Sequence, residues 1–221
     1  MSGATLDFTS YPVDRSDLDP VVGHLEAGGL LVYPTETVYG LGGVVMDSVL
    51  RALAAAKSRG ADKPFLLLVP SRKSVEHLAW TPAALDLAEV FWPGAVTIVL
   101  RDETERFPLG VRSPEGTVAV RMSPHPLIAD LLSVLCAPLI STSANAPGEP
   151  PTLSVADAAD AVESLGLGRD LLILDGGRLE PAAASTIVDC SGDQPVLLRE
   201  GSVPLGRVRC VLPGIEAGGD G

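Results

Sequence analysis

The chain has 221 residues, 46% of them hydrophobic, enough for one domain of ordinary to large size to bury its own core. A formal net charge of −12, from 16 Lys and Arg against 28 Asp and Glu, opposes an extended nucleic-acid-binding face but leaves room for a small basic pocket. No apolar run reaches the roughly 18 to 20 residues of a membrane-spanning helix, and the start MSGATLDFTS lacks the basic and apolar regions of a signal peptide, so a cytoplasmic protein without membrane contact is expected.

Leu18, Val21, Val22 and Leu25 recur at helical spacing ahead of a Gly28-Gly29 stop. Leu30 to Val32 reads as a buried strand, which Pro34 ends because proline has no N–H to give a ladder. Thr35, Glu36 and Thr37 would then stand at a strand end, where open α/β sheets place their ligands. Gly40, Gly42 and Gly43 would admit a backbone or a ligand closely. The alternative for this whole segment is a tight turn between two core segments. Asp47 or Ser48 can cap a helix that carries Leu50, Leu53 and Ala54 inward and runs toward Lys57. Phe65 to Val69 reads as a buried strand. Thr81-Pro82 opens a helix to about Phe91, Trp92-Pro93-Gly94 ends it, and Val96 to Leu100 forms a strand.

After a charged loop over residues 101–116, Thr117 to Arg121 alternates as a strand, and Ser123-Pro124 starts a helix with Leu127, Ile128, Leu131, Leu132 and Leu135 inside. Leu139-Ile140 is a short strand entering Ser141 to Asn145, and the glycine and prolines of residues 146–152 then suggest a lid loop. Ser154 caps a further helix, and strands are expected near 171–174, 185–189 and 196–198. The mixture of strands and helices, without a repeat or linker, predicts a single α/β domain over residues 1–213, with a twisted mixed sheet flanked by helices and a disordered tail over 214–221. Cys136, Cys190 and Cys210 have no metal or redox spacing and are expected as reduced core residues. The three histidines lack the spacing of a zinc site or catalytic triad, and no phosphate-loop or dinucleotide fingerprint is present.

Charges and hydroxyls collect in a few places. Lys57, Arg59 and Lys63 lie within KSRGADKP on a helix-to-strand connection, as a phosphate clamp or as cations on a helix C-terminal dipole. Arg121 ends a strand and shares a rim with Thr35 if those strands run parallel; otherwise it is a surface arginine. Ser141, Thr142, Ser143 and Asn145 can serve a ligand or their own loop backbone. Ser185 opens STIVD, and Arg199 closes LLREG as a phosphate or base contact or as a rim salt bridge.

Seven segments in order, YPTETVYGLGG, KSRGADKP, WPGAVTIVL, TVAVRMSPHPL, STSANAPGEPP, STIVD and LLREG, resemble the YrdC/TsaC family of L-threonylcarbamoyladenylate synthases over about residues 18 to 205. The resemblance implies a YrdC-like α/β domain with a concave, positively charged cleft. It implies a nucleotidyltransferase that makes threonylcarbamoyl-AMP and pyrophosphate from L-threonine, bicarbonate and ATP, for threonylcarbamoyladenosine modification of tRNA. ATP would be a substrate accompanied by Mg²⁺, with no protein ligands assigned to the metal. Downstream threonylcarbamoyl-transfer proteins would be partners, with at most weak or transient tRNA binding. By motif, Thr35, Arg121, Ser141 and Ser185 would bind threonine; Lys57 and Arg59 would act in catalysis and, with Lys63, hold the triphosphate; Thr117, Ser143, Asn145 and Arg199 would surround the nucleotide. The sequence departs from the family pattern at Pro147 after the SAN triplet, at Ala95 where WPGP is usual, and at Leu68 where some longer members carry histidine, so Leu68 receives no role. The rival readings are an RNA-binding or ribosome-maturation factor, which the negative charge opposes, and a carbamoyl-transfer relative, a class usually found inside longer chains.

Overall fold

Strand and helix signals alternate along the chain, and the computed structural model, which describes residues 3–60, 63–167 and 171–218, folds them into one mixed eleven-stranded sheet with helices on both faces. The strands are β1 (Ala4–Asp7), β2 (Leu30–Pro34), β3 (Tyr39–Val44), β4 (Leu66–Leu68), β5 (Val96–Arg101), β6 (Thr117–Arg121), β7 (Leu139–Ser143), β8 (Leu171–Asp175), β9 (Thr186–Asp189), β10 (Val196–Arg199) and β11 (Glu216–Ala217). The helices are α1 (Arg15–Glu26), α2 (Asp47–Ala56), α3 (Pro82–Phe91), α4 (Pro126–Leu135), α5 (Val155–Ser164) and α6 (Leu205–Val211). Across the sheet the strands lie in the order β1-β8-β2-β3-β7-β4-β6-β5-β9-β10-β11.

Several local signals act as expected. Thr81 caps α3 by accepting from the Ala84 amide at 3.2 Å, with Pro82 in the first turn where its missing N–H costs nothing. Ser154 caps α5 through the Asp157 amide. Leu127, Ile128, Leu131, Leu132 and Leu135 all turn inward on α4, which Cys136 closes in the left-handed conformation at φ 54°.

Other expectations change. Residues 39–44 form strand β3, antiparallel to β2, so residues 35–38 are a hairpin turn between two buried strands, as in the tight-turn alternative for this segment. Glycine's poor strand propensity hides a strand that tertiary packing imposes. α4 begins at Pro126, with His125 extended before it, and not at Ser123-Pro124. β1 and α6 carry no strong signal and were not expected. Among the cysteines only Cys190 is buried; Cys136 and Cys210 are exposed, which corrects their placement in the core. Within the segment expected as a disordered tail, β11 pairs in parallel with β10; residues 219–221 of that expectation lie outside the described residues.

Period-2 alternation sorts the strands' side chains onto two faces. Leu30 and Val32 join a core with Leu41 of β3 and residues of α2, α3, α5 and α6, while Leu31 and Tyr33 join a second core with Leu139 and Leu174 of the sheet and the inner faces of α1 and α4. Leu68 packs in that second core. In β7, Ser141 and Ser143 share the face of Leu139, so the polar end of this strand continues the face that α1 and α4 cover. In β5 and β6 the apolar residues Val96, Ile98, Leu100, Val118 and Val120 all join the opposite core. Thr97, Ala119 and Arg121 therefore point to the α1/α4 side, beyond the reach of those helices.

Tyr33 explains two of the motif glycines. A Cβ on Gly40 would lie 2.7 Å from the Tyr33 ring, and one on Gly42 would lie 1.8 Å from the Ile140 carbonyl oxygen and 3.1 Å from the Tyr33 hydroxyl. The glycines thus seat a buried tyrosine and a close neighbouring strand. Gly42→Ala is expected to lower stability by about 1 to 3 kcal/mol or more through overpacking, read as a drop in thermal midpoint.

Candidate active site

The uncovered stretch of this sheet face forms the floor of a cavity of about 360 Å³. Its walls come from the 35–38 turn, from β3, β4, β5, β6, β7, β9 and β10, and from the connection after α2. Alternate residues supply the floor: Ala119 with Arg121, Ser141 with Ser143, and Ser185 with Ile187. A second cavity of about 180 Å³ adjoins it, lined by Lys57, Asn145 and residues 146–148, and shares Arg59, Thr142 and Ser143 as walls.

Ten of the eleven residues assigned by motif line one or both cavities. The larger is lined by Thr35, Arg59, Lys63, Arg121, Ser141, Ser143, Ser185 and Arg199, and the smaller by Lys57, Arg59, Ser143 and Asn145. Thr117 lines neither: it sits at the far end of β6, and its hydroxyl lies 2.9 Å from the Ser113 hydroxyl. Ala61 and Asp62 of the KSRGADKP segment lie outside the described residues.

Arg121 does not reach Thr35's neighbourhood by a shared rim. Following the pairings from β2 through β3, β7 and β4 to β6 gives three reversals, so β2 and β6 run in opposite directions. The two meet across the floor instead. Arg121 Nη1 donates to Glu36 Oε1 at 2.6 Å and lies 3.4 Å from Thr37 Oγ1, in a pair whose side chains are only 5% and 17% exposed.

The turn itself is held by Thr35. Its hydroxyl donates to the Val38 carbonyl at 2.7 Å and accepts from the Thr37 and Val38 amides, both at 3.2 Å. That proton is therefore committed within the turn. Tyr33, fully buried, donates to Ser141 Oγ at 2.8 Å, which fills an acceptor site on that serine and leaves its own proton for a partner in the cavity. Burial pushes the Tyr33 phenol up to about 12, so it stays a donor. At the other side Ser185 Oγ lies 2.9 Å from Thr97 Oγ1, and Arg199 donates to the Ser185 carbonyl through Nε and Nη2 at 3.1 and 2.7 Å. Thr97 and Tyr33 were missed by the sequence reading, which placed Glu36 at the ligand-bearing strand end without a role of its own. A single polar residue amid the apolar run of β5 was the available signal for Thr97.

Five cations line the two cavities, Lys57, Arg59, Lys63, Arg121 and Arg199, while no Asp or Glu does among the described residues. Burial lowers Lys57 to about 8, with the Arg59 charge adding to the effect. Burial also lowers Arg59, and it lowers Arg199 with help from Arg121. In this structure Lys57 Nζ donates to the Asn145 carbonyl at 2.5 Å and to its Oδ1 at 3.1 Å, which ties the α2 end to the loop beyond β7. Arg59 donates to the Pro64 carbonyl at 3.3 Å and stacks on Phe65 at 4.8 Å. Among the described residues no three His, Cys, Asp or Glu groups gather to hold a metal, so these residues offer no such ligand set for the expected Mg²⁺.

A recessed sheet face, floored with hydroxyls and ringed with partly desolvated cations, defines an α/β domain built to take a small polyanion beside a small polar ligand. The chain belongs to the Sua5/YciO/YrdC family, whose profile, described as telomere recombination, matches residues 24–201. A Mycobacterium tuberculosis protein is 40% identical over 200 residues, covering 89% of this chain and 88% of that one, and bears the name threonylcarbamoyl-AMP synthase provisionally. The Pyrococcus abyssi protein named threonylcarbamoyl-AMP synthase is 35% identical over 193 residues; the match covers 86% of this chain and 55% of that one. The crystal structure of Pyrococcus abyssi Sua5 complexed with L-threonine superposes with a TM-score of 0.87 at 31% identity, covering 99% of this chain and 63% of that one.

The depressed Lys57 makes a pH prediction. A neutral amine is the reactive form, so acylation of Lys57, followed by peptide mass spectrometry, is expected to rise through an inflection near pH 8, below the ordinary lysine range. Added triphosphate favours the charged form and is expected to move that inflection upward.

Proposed function

We propose that the protein is an L-threonylcarbamoyladenylate synthase, a nucleotidyltransferase that converts L-threonine, bicarbonate and ATP into threonylcarbamoyl-AMP and pyrophosphate. The observation that carries this reading is the joining of a hydroxyl-rich end and a cationic end in one recess, through the shared walls Arg59, Thr142 and Ser143. The name of the Pyrococcus abyssi relative, and the threonine in the Sua5 complex, support it.

In this reading Arg121, Ser141 and Ser185 receive L-threonine beside the Thr35 turn. Ser141 brings a free proton, and Arg121 brings a buried Nε that has no partner among the described residues. Lys57, Arg59 and Lys63 receive the triphosphate, and Ser143, Asn145 and Arg199 border the nucleotide. Thr117 is not assigned to it. The threonine amine and bicarbonate form a carbamate with loss of water; a carbamate oxygen then attacks the α-phosphorus of ATP, and the bond to the β-phosphate oxygen breaks to release pyrophosphate. No protein nucleophile takes part. The chain contributes position and cationic charge around the transferring phosphoryl group, in surroundings where desolvation strengthens both. With no carboxylate among the described cavity liners, any Mg²⁺ would enter on the phosphates of ATP, and no step is routed through it.

The loop over residues 146–152 lines the smaller cavity through Ala146, Pro147 and Gly148 and is held by Asn145 Nδ2 donating to the Glu149 carbonyl. Triphosphate competing for Lys57 would loosen the bonds from Lys57 to Asn145 that anchor the start of this loop, which suits a lid. The product would pass in the cytoplasm to threonylcarbamoyl-transfer proteins acting on tRNA, with at most weak contact between this chain and the RNA.

Incubation of the purified protein with L-threonine, bicarbonate and ATP is expected to give the mass of threonylcarbamoyl-AMP and threonine-dependent pyrophosphate. Arg59→Ala is expected to lower turnover on the order of 100- to 1,000-fold while the thermal midpoint changes little. A variant as active as its parent would remove Arg59 from this role.

A further inference from the structure

Glu36 touches the substrate recess only through another residue. It does not line either cavity, and both of its carboxylate oxygens are taken: Oε1 by Arg121 Nη1 at 2.6 Å, and Oε2 by the Ser123 hydroxyl at 2.5 Å. Ser123 Oγ in turn accepts from the His125 amide at 3.2 Å, just before α4. A continuous chain of hydrogen bonds therefore runs from the start of α4 through Ser123 and Glu36 to the guanidinium on the cavity floor, charge-assisted at the two bonds to the carboxylate. Arg121 is 4% exposed, so its orientation cannot be averaged by water, and its Nε is buried without a partner among the described residues. A guanidinium held at one nitrogen and unsatisfied at another is poised for a second carboxylate.

Resting on the functional reading above, we infer that Glu36, braced by Ser123, is a positioning residue that holds Arg121 in the orientation that receives the substrate's α-carboxylate. The turn locked by Thr35 delivers Glu36, so the strongest sequence motif acts on the substrate at one remove. Glu36 would not take a proton or contact ATP, whose cationic contacts lie on the other side of the recess at Lys57, Arg59 and Lys63.

The test is steady-state pyrophosphate release with each substrate varied in turn, on Glu36→Ala, Glu36→Gln, Ser123→Ala, Arg121→Ala and the Glu36→Ala/Arg121→Ala double variant, each checked by thermal melting. Glu36→Ala is expected to raise KM for L-threonine about tenfold or more while KM for ATP changes less than about twofold. Glu36→Gln keeps the shape without the charge and is expected to fall between that variant and the parent. In the Arg121→Ala background, Glu36→Ala is expected to add nothing, because it acts through the missing guanidinium. A threonine KM equal to the parent's, an equal rise in both KM values, or full additivity in the double variant overturns the inference. Should Glu36→Ala not fold, Glu36→Gln and Ser123→Ala carry the same comparison, and an unchanged threonine KM in both overturns it. A parent that releases no threonine-dependent pyrophosphate overturns the functional reading instead. The Glu36 inference is then judged by calorimetric binding of L-threonine, which must weaken by the same factor in Glu36→Ala; a parent that binds no threonine ends both.

Discussion

The face of the sheet that packs on α1 and α4 extends well beyond those two helices, and the character of the molecule follows from what lies on the uncovered part. Backbone polar groups there are already paired in the ladder, so a recess can open over them without orphaned amides. Side chains on the opposite face of the same strands, Val96, Ile98, Leu100, Val118 and Val120, stay apolar because a second layer of helices covers them. Those of β5 and β6 that face the recess are a hydroxyl, a small residue and an arginine: Thr97, Ala119 and Arg121. The site is thus a gap in a helical layer over a continuous sheet, with its floor held by rigid strands and not by loops.

The hairpin between β2 and β3 gives that floor its order. Thr35 spends its hydroxyl on the turn's own backbone, Tyr33 lies over glycines to reach Ser141, and Glu36 turns toward Arg121. The side chains of Thr35, Tyr33 and Glu36 are each satisfied by a named partner, and the donors left over in this network belong to Ser141 and Arg121. A buried ion pair of this kind contributes little net stability once desolvation is counted. Its value is geometric, because a buried arginine with one fixed nitrogen presents a defined edge.

Charge is distributed against the overall balance of the chain. The protein carries a net −12, yet the liners of both cavities include five cations and, among the described residues, no carboxylate. Partial burial makes the charges of Lys57, Arg59 and Arg199 costly, as the lowering of each by desolvation records. An entering polyanion relieves that cost. The charge that a small polyanion would neutralise is in this sense built into the folded chain, while the acidic remainder of the surface disfavours long nucleic acids.

The sequence by itself determined the local elements with strong signals and the inventory of the site. Proline and hydroxyl caps, the leucine stripe of α4 and the apolar runs of β2, β4 and β5 are short-range effects, readable because the cause lies within a few residues of its consequence. Ten motif-assigned residues likewise reached the cavities, since motifs name side chains whatever the path of the strands. Tertiary structure alone decided that residues 39–44 form a strand, that Arg121 meets Glu36 across the floor and not along a rim, and that Thr117 falls outside the site. It also decided that a threonine at the centre of the strongest motif holds a turn with its hydroxyl while a glutamate beside it grips the arginine. Strand direction and sheet order depend on pairings between residues as far apart as 36 and 121, and no local pattern encodes which of two faces a helical layer will leave open.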